Sequence, residues 1–483
     1  MGRVLVSVAG LLVVALFAAL LAPLFVDWTD YRKDFEQQAS QILGKKVIVA
    51  GDVSARILPF PSITLNDIRV GPDETGEALV TVAHFSMDAE LAPFLSGEAK
   101  IFDMRIDQPK AKIRLLKDGT LDWVRTGIAQ IPAKTVVLEH VSITGGEVDF
   151  IDEESGRTRQ LRGLTANAST RSLTGPWRIN GTGALDGHEG KFSLSTGVED
   201  NASEFRLKTR LEPNENSLVV ELEGGLKIVD LKPRYDGQFT VSERVENDAK
   251  TGASAAASRF RIKGQFALTN ESIDIPDYRL ETGDAADPYV VTGKAKLDTG
   301  KVPQFNLEAE GQQIDVSRMG HDGETGKTSR EANLSTRLRL QAMLSVLGDI
   351  PVPQVPGKAS IKLPAVVAGD ATMRNVVLKV RPNGQGWIVD TAEAELPGRT
   401  KVEVKGEVTL KGSFGFDGSV IVASTQPSGL ATWLTGTVDP ALRTVPSAGF
   451  SSNVHYTETL QRFDNLEIAI GPASMKGRVE RQS

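Results

Sequence analysis

From Val47 to about Thr240, again from beyond Ser258 to the polar loop Arg318–Ser329, and once more from Ala359 onward, apolar and polar residues alternate with a period of two through segment after segment. Val53, Ala55 and Ile57 alternate with Ser54, Arg56 and Leu58, and Phe102, Met104 and Ile106 alternate with Asp103, Arg105 and Asp107. Side chains on a strand point to opposite faces in turn, so this pattern predicts strands with one apolar face. Pro59 and Pro61 break the first strand pair, Pro109 interrupts a later one before Ala111, Ile113 and Leu115 resume, and Lys117-Asp118-Gly119 marks a turn before Leu121-Asp122-Trp123.

Helical spacing is confined to short stretches. Asp30 to Leu43 places Tyr31, Phe35, Ala39, Ile42 and Leu43 on one face, with Asp30 as the expected N-cap and Gly44 just past the end. That face either lies on a membrane surface or plugs the end of the β structure, and its mixed-sign polar side favours the plug. Further helices are expected around Leu91–Leu95, over Ala332–Leu347 and over Ser428–Leu434. Before all of these, Val4 to Val26 carries no charge and would reach roughly 34 Å as a helix, enough to cross a bilayer. A cleaved signal peptide is the alternative, but the run is long for one and Ala19-Leu20-Leu21-Ala22 matches a cleavage site poorly. Lys and Arg counts on the two sides of the run do not set its orientation.

Four segments share one template, an apolar residue at every second position with glycine third and leucine last. Trp177-Ile179-Gly181-Gly183-Leu185 is followed by Phe260-Ile262-Gly264-Phe266-Leu268, Tyr289-Val291-Gly293-Ala295-Leu297 and Val402-Val404-Gly406-Val408-Leu410. The spacing is irregular, unlike a fixed-period solenoid. Period two puts Gly181, Gly264, Gly293 and Gly406 on the apolar face, where missing bulk lets a strand bend inward, and sheets that bend alike in every strand curl into a trough. An ordinary β-sandwich with inner-face glycines fits the same periodicity. The expected fold is mainly β: an N-terminal transmembrane helix, then an elongated, curled antiparallel sheet forming an apolar groove, with a few short helices. The expected division is an anchor over 1–28, a helix and β unit over 29–130, groove repeats over 131–330 with a flexible insert at 243–258, and 331–483 with helix 332–347 and further repeats. The sequence stops directly after strand-like Phe463–Ile470 and Ala473–Val479, so it reads as a fragment of a longer protein or a short member of its kind.

Composition narrows the chemistry. The net charge of −7 leaves no footprint for nucleic acid, and the absence of cysteine removes disulfides, thiolate metal sites and cysteine nucleophiles. His84, His140, His188, His321 and His455 are dispersed without ligand spacing, and Asp152-Glu153-Glu154 reads as a solvated turn. Gly320 to Ser329, GHDGETGKTS, imitates a phosphate loop but has His321 where the motif needs glycine. No G-x-S-x-G elbow occurs, so a hydrolase lacks its nucleophile. No enzyme activity, cofactor or metal is expected.

Leu43 to Val70, LGKKVIVAGDVSARILPFPSITLNDIRV, resembles the N-terminal signature of the AsmA family, and the ordered series in DAELAPFLSGEAKIFDMRIDQPKAKIRLLKDGTLDW matches it further. ELPGRTKVEVKGEV, FGFDGSVIVAS and SGLATWLTG extend the similarity toward the C-terminus. The resemblance implies an alphaproteobacterial-type envelope protein anchored in the inner membrane through residues 4–26, with the bulk in the periplasm. It also implies a relation to repeating β-groove, bridge-like lipid transfer proteins that support outer-membrane biogenesis, and carries no catalytic residues. A long one-faced sheet must cover its apolar side with a second sheet, helices or a ligand, and the helices here are too few. The expected ligand is phospholipid or another acyl lipid, lying on Trp177, Ile179, Phe260, Ile262, Phe266, Tyr289, Val291, Val402, Val404 and Val408. The alternative is a non-transporting envelope scaffold built as a closed sandwich. Envelope protein partners are expected on either reading.

Overall fold

Alternation does produce strands nearly everywhere it occurs. The computed structural model describes residues 28–72, 76–95, 99–122, 136–172, 175–197, 204–230, 232–244, 260–282, 288–311, 313–315, 352–368, 371–435, 438 and 440–482. The run Val4–Val26, Trp123, nearly all of the insert 243–258, the loop 320–329 and the expected helix 332–347 lie outside them. Among the described residues no helix is long and apolar enough to cross a membrane. The chain divides into two units, residues 1–244 with 267–270, and residues 245–266 with 271–483.

In the first unit a 3-10 turn (Trp28–Tyr31) leads into α1 (Arg32–Leu43). The strands are β1 (Val47–Val49), β2 (Val53–Arg56), β3 (Ser62–Pro72) and β4 (Ala78–Ala89); then, after the short α2 (Leu91–Leu95), β5 (Ala99–Asp107), β6 (Lys110–Leu115), β7 (Val136–Asp152) and β8 (Arg157–Thr170). They continue with β9 (Trp177–Leu185), β10 (His188–Thr196), β11 (Glu204–Pro213), β12 (Leu218–Val229) and β13 (Lys232–Glu243). Each strand pairs with the next, with two broken strands: β1 and β2 both pair with β3, and β5 and β6 both lie between β4 and β7. β14 (Phe260–Leu268) falls across the division of the chain.

The second unit holds β15 (Ser272–Thr282), β16 (Tyr289–Asp298), β17 (Gln304–Gly311), β18 (Gln313–Asp315), β19 (Gly357–Ala368), β20 (Ala371–Pro382), β21 (Gly386–Leu396), β22 (Thr400–Thr409) and β23 (Gly415–Ser424). Then come α3 (Pro427–Thr435), a 3-10 turn (Pro440–Thr444), β24 (Ala448–Tyr456), β25 (Leu460–Ile470) and β26 (Ala473–Gln482). The expectation of a wholly antiparallel sheet is corrected in both units. β5 and β6 run parallel to β7, and β17 and β18 run parallel to β19. In each case the next strand starts again at the end where the broken strand began, which requires a return connection, here residues 116–135 and 316–356.

Strict alternation would move the apolar set to the other face whenever a strand gains a residue. Left-handed residues absorb the shift. Asp67 (φ 50°) lies between Leu65 and Ile68 on β3, Gln108 (φ 50°) lies between β5 and β6, and Gly145 (φ 64°) and Gly163 (φ 62°) do the same on β7 and β8. On β20 and β25 the residues are Asn375 (φ 50°) and Asn465 (φ 52°), and short polar side chains tolerate this region better than most.

α1 closes the free edge of β1. The outward amides of Val47 and Val49 donate to Ser40 Oγ and Glu36 Oε1, both at 2.8 Å, and Arg32 Nη2 donates to Gly51 O at 3.0 Å. Residues 32, 36 and 40 lie one turn apart on one helix face, so α1 occupies the ladder position of a missing strand and protects an edge that would otherwise recruit one. Phe35, Ala39 and Trp28 pack on the cluster Val47, Val49, Val53, Ile63, Leu65, Ile68 and Val70, which supports the plug reading. Tyr31, Ile42 and Leu43 instead remain about half exposed. Gly44 ends the helix in the left-handed conformation as expected, whereas Tyr31, not Asp30, stands at the N-cap and makes no side-chain cap.

Val49 is only 2% exposed, so stripping its amide of an acceptor is expensive. Glu36→Ala is expected to lower stability by about 1–3 kcal/mol and speed hydrogen exchange at Val49, Glu36→Gln to cost less, and exposed Gln38→Ala to change neither. Thermal melting with amide exchange checks this; equal effects of Glu36→Ala and Gln38→Ala would contradict the edge role.

Candidate functional site

Strand registers order the faces of each sheet. In the first unit one transverse row runs Val53, Leu65, Phe85, Ile106, Ile143, Ala166, Gly181, Phe192, Leu211, Val220, Val241, each residue directly paired with the next. Beside it runs Ala55, Ile63, Met87, Met104, Val141, Ala168, Ile179, Leu194, Thr209, Leu222, Phe239, whose one polar member is a threonine. The opposite face, one residue over, reads Ser54, Thr64, Ser86, Arg105, Ser142, Asn167, Asn180, Ser193, Arg210, Glu221, Thr240. One side is a continuous apolar track and this opposite row is polar from end to end, while Val219, two residues along from Glu221, is a buried apolar exception on that face.

The second unit repeats the arrangement. Its central row is Ile275, Ala295, Leu307, Ala359, Val380, Val389, Gly406, Gly418, Val454, Phe463, Val479. A neighbouring row runs Tyr278, Gly293, Ala309, Ile361, Leu378, Ala392, Val404, Val420, Ser452. Ten strand-to-strand steps at roughly 4.8 Å make each eleven-residue row about 48 Å long.

These faces are packed sideways along the sheet. The cluster of Ala89, Ile101, Leu138, Val141 and Ala168 is joined by Met87, Met104, Ile106, Val136, Trp177 and Ile179, all from β4 to β9. The cluster of Ala359, Val380 and Val389 draws its neighbours from β17 to β22. A face sealed by a second sheet would have its inward side chains buried, yet Phe205 and Leu211 are 41% and 38% exposed and most of both rows is half-buried.

The chain's own sequence decides its kinship. A family profile described as the AsmA family matches residues 1–256. The chain belongs to the AsmA family. No curated protein matches it. The C-terminal motifs read above as AsmA-like lie beyond the matched residues.

Most of the groove candidates of this AsmA family member fall on the apolar tracks. Ile179, Gly181, Gly293, Val404 and Gly406 are in the rows above, and Val402 continues from Ala394 to Val422, Phe450, Ile468 and Met475. Trp177 packs with the Ala168 cluster and Val408 with the Val389 cluster. Val291, 7% exposed, is paired with Leu280 and Gly311, and Tyr289 with Thr282. Phe260, Ile262, Gly264 and Phe266 share the less exposed face of β14, alternating with exposed Arg261, Lys263 and Gln265.

The glycines of the repeat make room for neighbours. A Cβ on Gly181 would stand 2.9 Å from Phe192 Cζ, and one on Gly293 would stand 2.7–2.8 Å from the Tyr278 ring and collide with Glu308 O. Tyr278, on β15, reaches over Gly293 on β16 and donates its hydroxyl to Glu308 O on β17 at 3.0 Å. Tyr235 on β13 does the same across β12, donating to Leu207 O on β11 at 3.0 Å. The sequence repeat singles out Gly293 but not its tyrosine, which lies on the neighbouring strand.

The polar face carries surface pairs such as exposed Arg210–Glu221 (2.7 Å) and Lys294–Glu308 (3.1 Å) and half-buried Arg162–Asp149 (2.6 Å), the exposed ones worth about 0–1 kcal/mol each. The Arg381 guanidinium holds the Asp390 carboxyl below its ordinary value by hydrogen bonding. Two depressions of about 960 and 560 Å³ are lined largely by this face, one by Lys358, Ser360, Lys362, Lys379 and Glu308, the other by Arg69, Lys110, Lys112, Glu147 and Asp149. His84 bonds Asn66, His188 bonds Glu215 and His455 bonds Asp417, each at 2.7–2.9 Å. Among the described residues no cluster of three or more His, Cys, Asp or Glu side chains is placed to hold a metal.

Gly293→Ala is expected to cost about 1–3 kcal/mol by overpacking against Tyr278 and pushing β16 from the Glu308 carbonyl, and Tyr278→Phe about 1 kcal/mol through the lost hydrogen bond. Burial raises the Tyr278 hydroxyl above its ordinary value near 10. The folded state then holds its proton longer than the unfolded state, so its contribution is full below pH 10 and is lost as pH rises through the folded value. Melting curves from pH 8 to 11 should show an alkaline loss that Tyr278→Phe reduces; an unchanged pH profile would contradict it.

Proposed function

We propose that this AsmA family protein shields the acyl chains of phospholipid, or of another acyl lipid, against the apolar face of its sheets. The observation that carries the reading is the transverse apolar rows, Val53 to Val241 and Ile275 to Val479, in which Val53, Leu65, Ala166, Ala359, Val380 and Val389 are buried but most members keep partial exposure. An apolar surface several hundred Å² in extent marks a binding surface in a soluble domain. Two acyl chains of about 16 carbons lose roughly 25 kcal/mol of favourable burial when fully exposed to water, at about 0.8 kcal/mol per methylene. A track that covers them removes most of that barrier without chemistry, while head groups stay in solvent. No catalytic group or cofactor is invoked.

The same reading places residues 4–26 in the inner membrane and the sheets in the periplasm, where they would support lipid supply to the outer membrane. A non-transporting scaffold with a closed sandwich fits less well, because it requires the rows to be buried by a second layer.

The full chain purified in mild detergent is expected to retain phospholipid, measured by mass spectrometry of the extract. Phe192→Glu, Ile179→Glu and Val404→Glu should each lower it several-fold, whereas polar-face Asn180→Glu and Ser419→Glu should not. Lipid retained by a folded triple variant would count decisively against the apolar track.

A further inference from the structure

The hairpin between β2 and β3 carries five consecutive uncharged apolar residues, Ile57-Leu58-Pro59-Phe60-Pro61, and α2 carries five more, Leu91–Leu95. The fold brings them to one end of the strands. Ala89 N donates to Pro61 O at 2.8 Å, and the Phe60 ring meets Phe102 edge-on at 5.3 Å. The Trp28–Tyr31 turn packs beside β2 at the same end, its two rings 5.8 Å apart. Ile57 and Tyr31 are each 49% exposed, and Pro59 and Ala92 are exposed as well.

From this arrangement we propose that the hairpin Ile57–Pro61, α2 and the Trp28–Tyr31 turn form a foot that inserts shallowly into a lipid bilayer surface. The inference rests on the membrane placement proposed above. Three observations select a bilayer over a protein partner. The uncharged run ends at Val26, two residues before Trp28, so the turn stands within about 7 Å of chain from it. Exposed Tyr31 suits the head-group level, with an apolar ring inward and a polar edge outward, while Trp28 beside it packs on the Val47–Val70 cluster and ties the turn to β2. Arg56, its side chain 53% exposed at the base of the hairpin, holds its guanidinium 5.3 Å from the Phe60 ring, with Nε donating to Ser62 Oγ at 3.0 Å and Nη2 in a long 3.9 Å pair with Asp88, a weak exposed contact that a lipid phosphate would supplement. The transverse rows begin on β2 at Val53 and Ala55, so the foot would set their first residues against the bilayer.

The chain has no cysteine, so single cysteines report position directly. Full-length Ile57→Cys, with Ala92→Cys as a second site on the foot, and Glu154→Cys in the turn at the far end of β7 and β8 are labelled with an environment-sensitive fluorophore. They are then reconstituted in vesicles of phosphatidylethanolamine and phosphatidylglycerol. At positions 57 and 92, nitroxide on lipid acyl chains should quench several-fold more than aqueous iodide, and at 154 the order should reverse. Iodide-dominated quenching at both foot sites overturns the inference. Phospholipid co-purifying with the same proteins in detergent before reconstitution leaves the lipid-shielding reading intact, whereas protein free of lipid before reconstitution whose foot labels are then buried in the vesicles defeats that reading and not this one.

Discussion

Most described strands in both units have one largely apolar face, and among the described residues little besides the N-terminal turn and α1 packs over it. That imbalance shapes the rest. Single-layer β structure can hold its backbone through ladder hydrogen bonds and its side chains through lateral contacts, as the Ala168 and Val389 clusters do. It cannot remove a transverse apolar track from solvent without a second layer or a ligand. The features that look like irregularities preserve the track: left-handed Asp67, Gln108, Gly145 and Gly163 absorb parity shifts, and glycine at 181 and 293 admits an aromatic neighbour.

Each unit has its own means of stiffening the single layer. Tyr235 and Tyr278 each span three strands by bonding a carbonyl beyond the neighbouring ladder. At the N-terminal edge, α1 replaces a strand with side-chain groups one helical turn apart, so the edge is closed without another strand. The polar face contributes solubility through many weak, exposed ion pairs, and its depressions are basic and acidic by turns, which suits solvent contact and not acyl chains.

Much of this was legible in the residues. Period-two alternation located the strands, Pro109 marked the break between β5 and β6, and the glycine template found Gly181, Gly293 and Gly406 on the apolar side. What alternation misses is pairing: it is local, so the parallel steps at β7 and β19 escape it, being fixed by where a connection returns. Glu36 and Ser40 read as the ordinary polar side of an amphipathic helix, because nothing in a single sequence says that strand amides will face them. Tyr278 was invisible as the partner of Gly293 for the same reason: their proximity is set by register across β15 and β16.

The most direct test of the central claim is contact itself. A photoreactive phenylalanine analogue placed at Phe192, on the apolar row, and at adjacent Ser193, on the polar face, would be irradiated in the full-length protein in native membranes, and adducts identified by mass spectrometry. The account predicts lipid acyl adducts at 192 and none at 193. Adducts at 192 to protein alone, or equal lipid labelling at both positions, would contradict it.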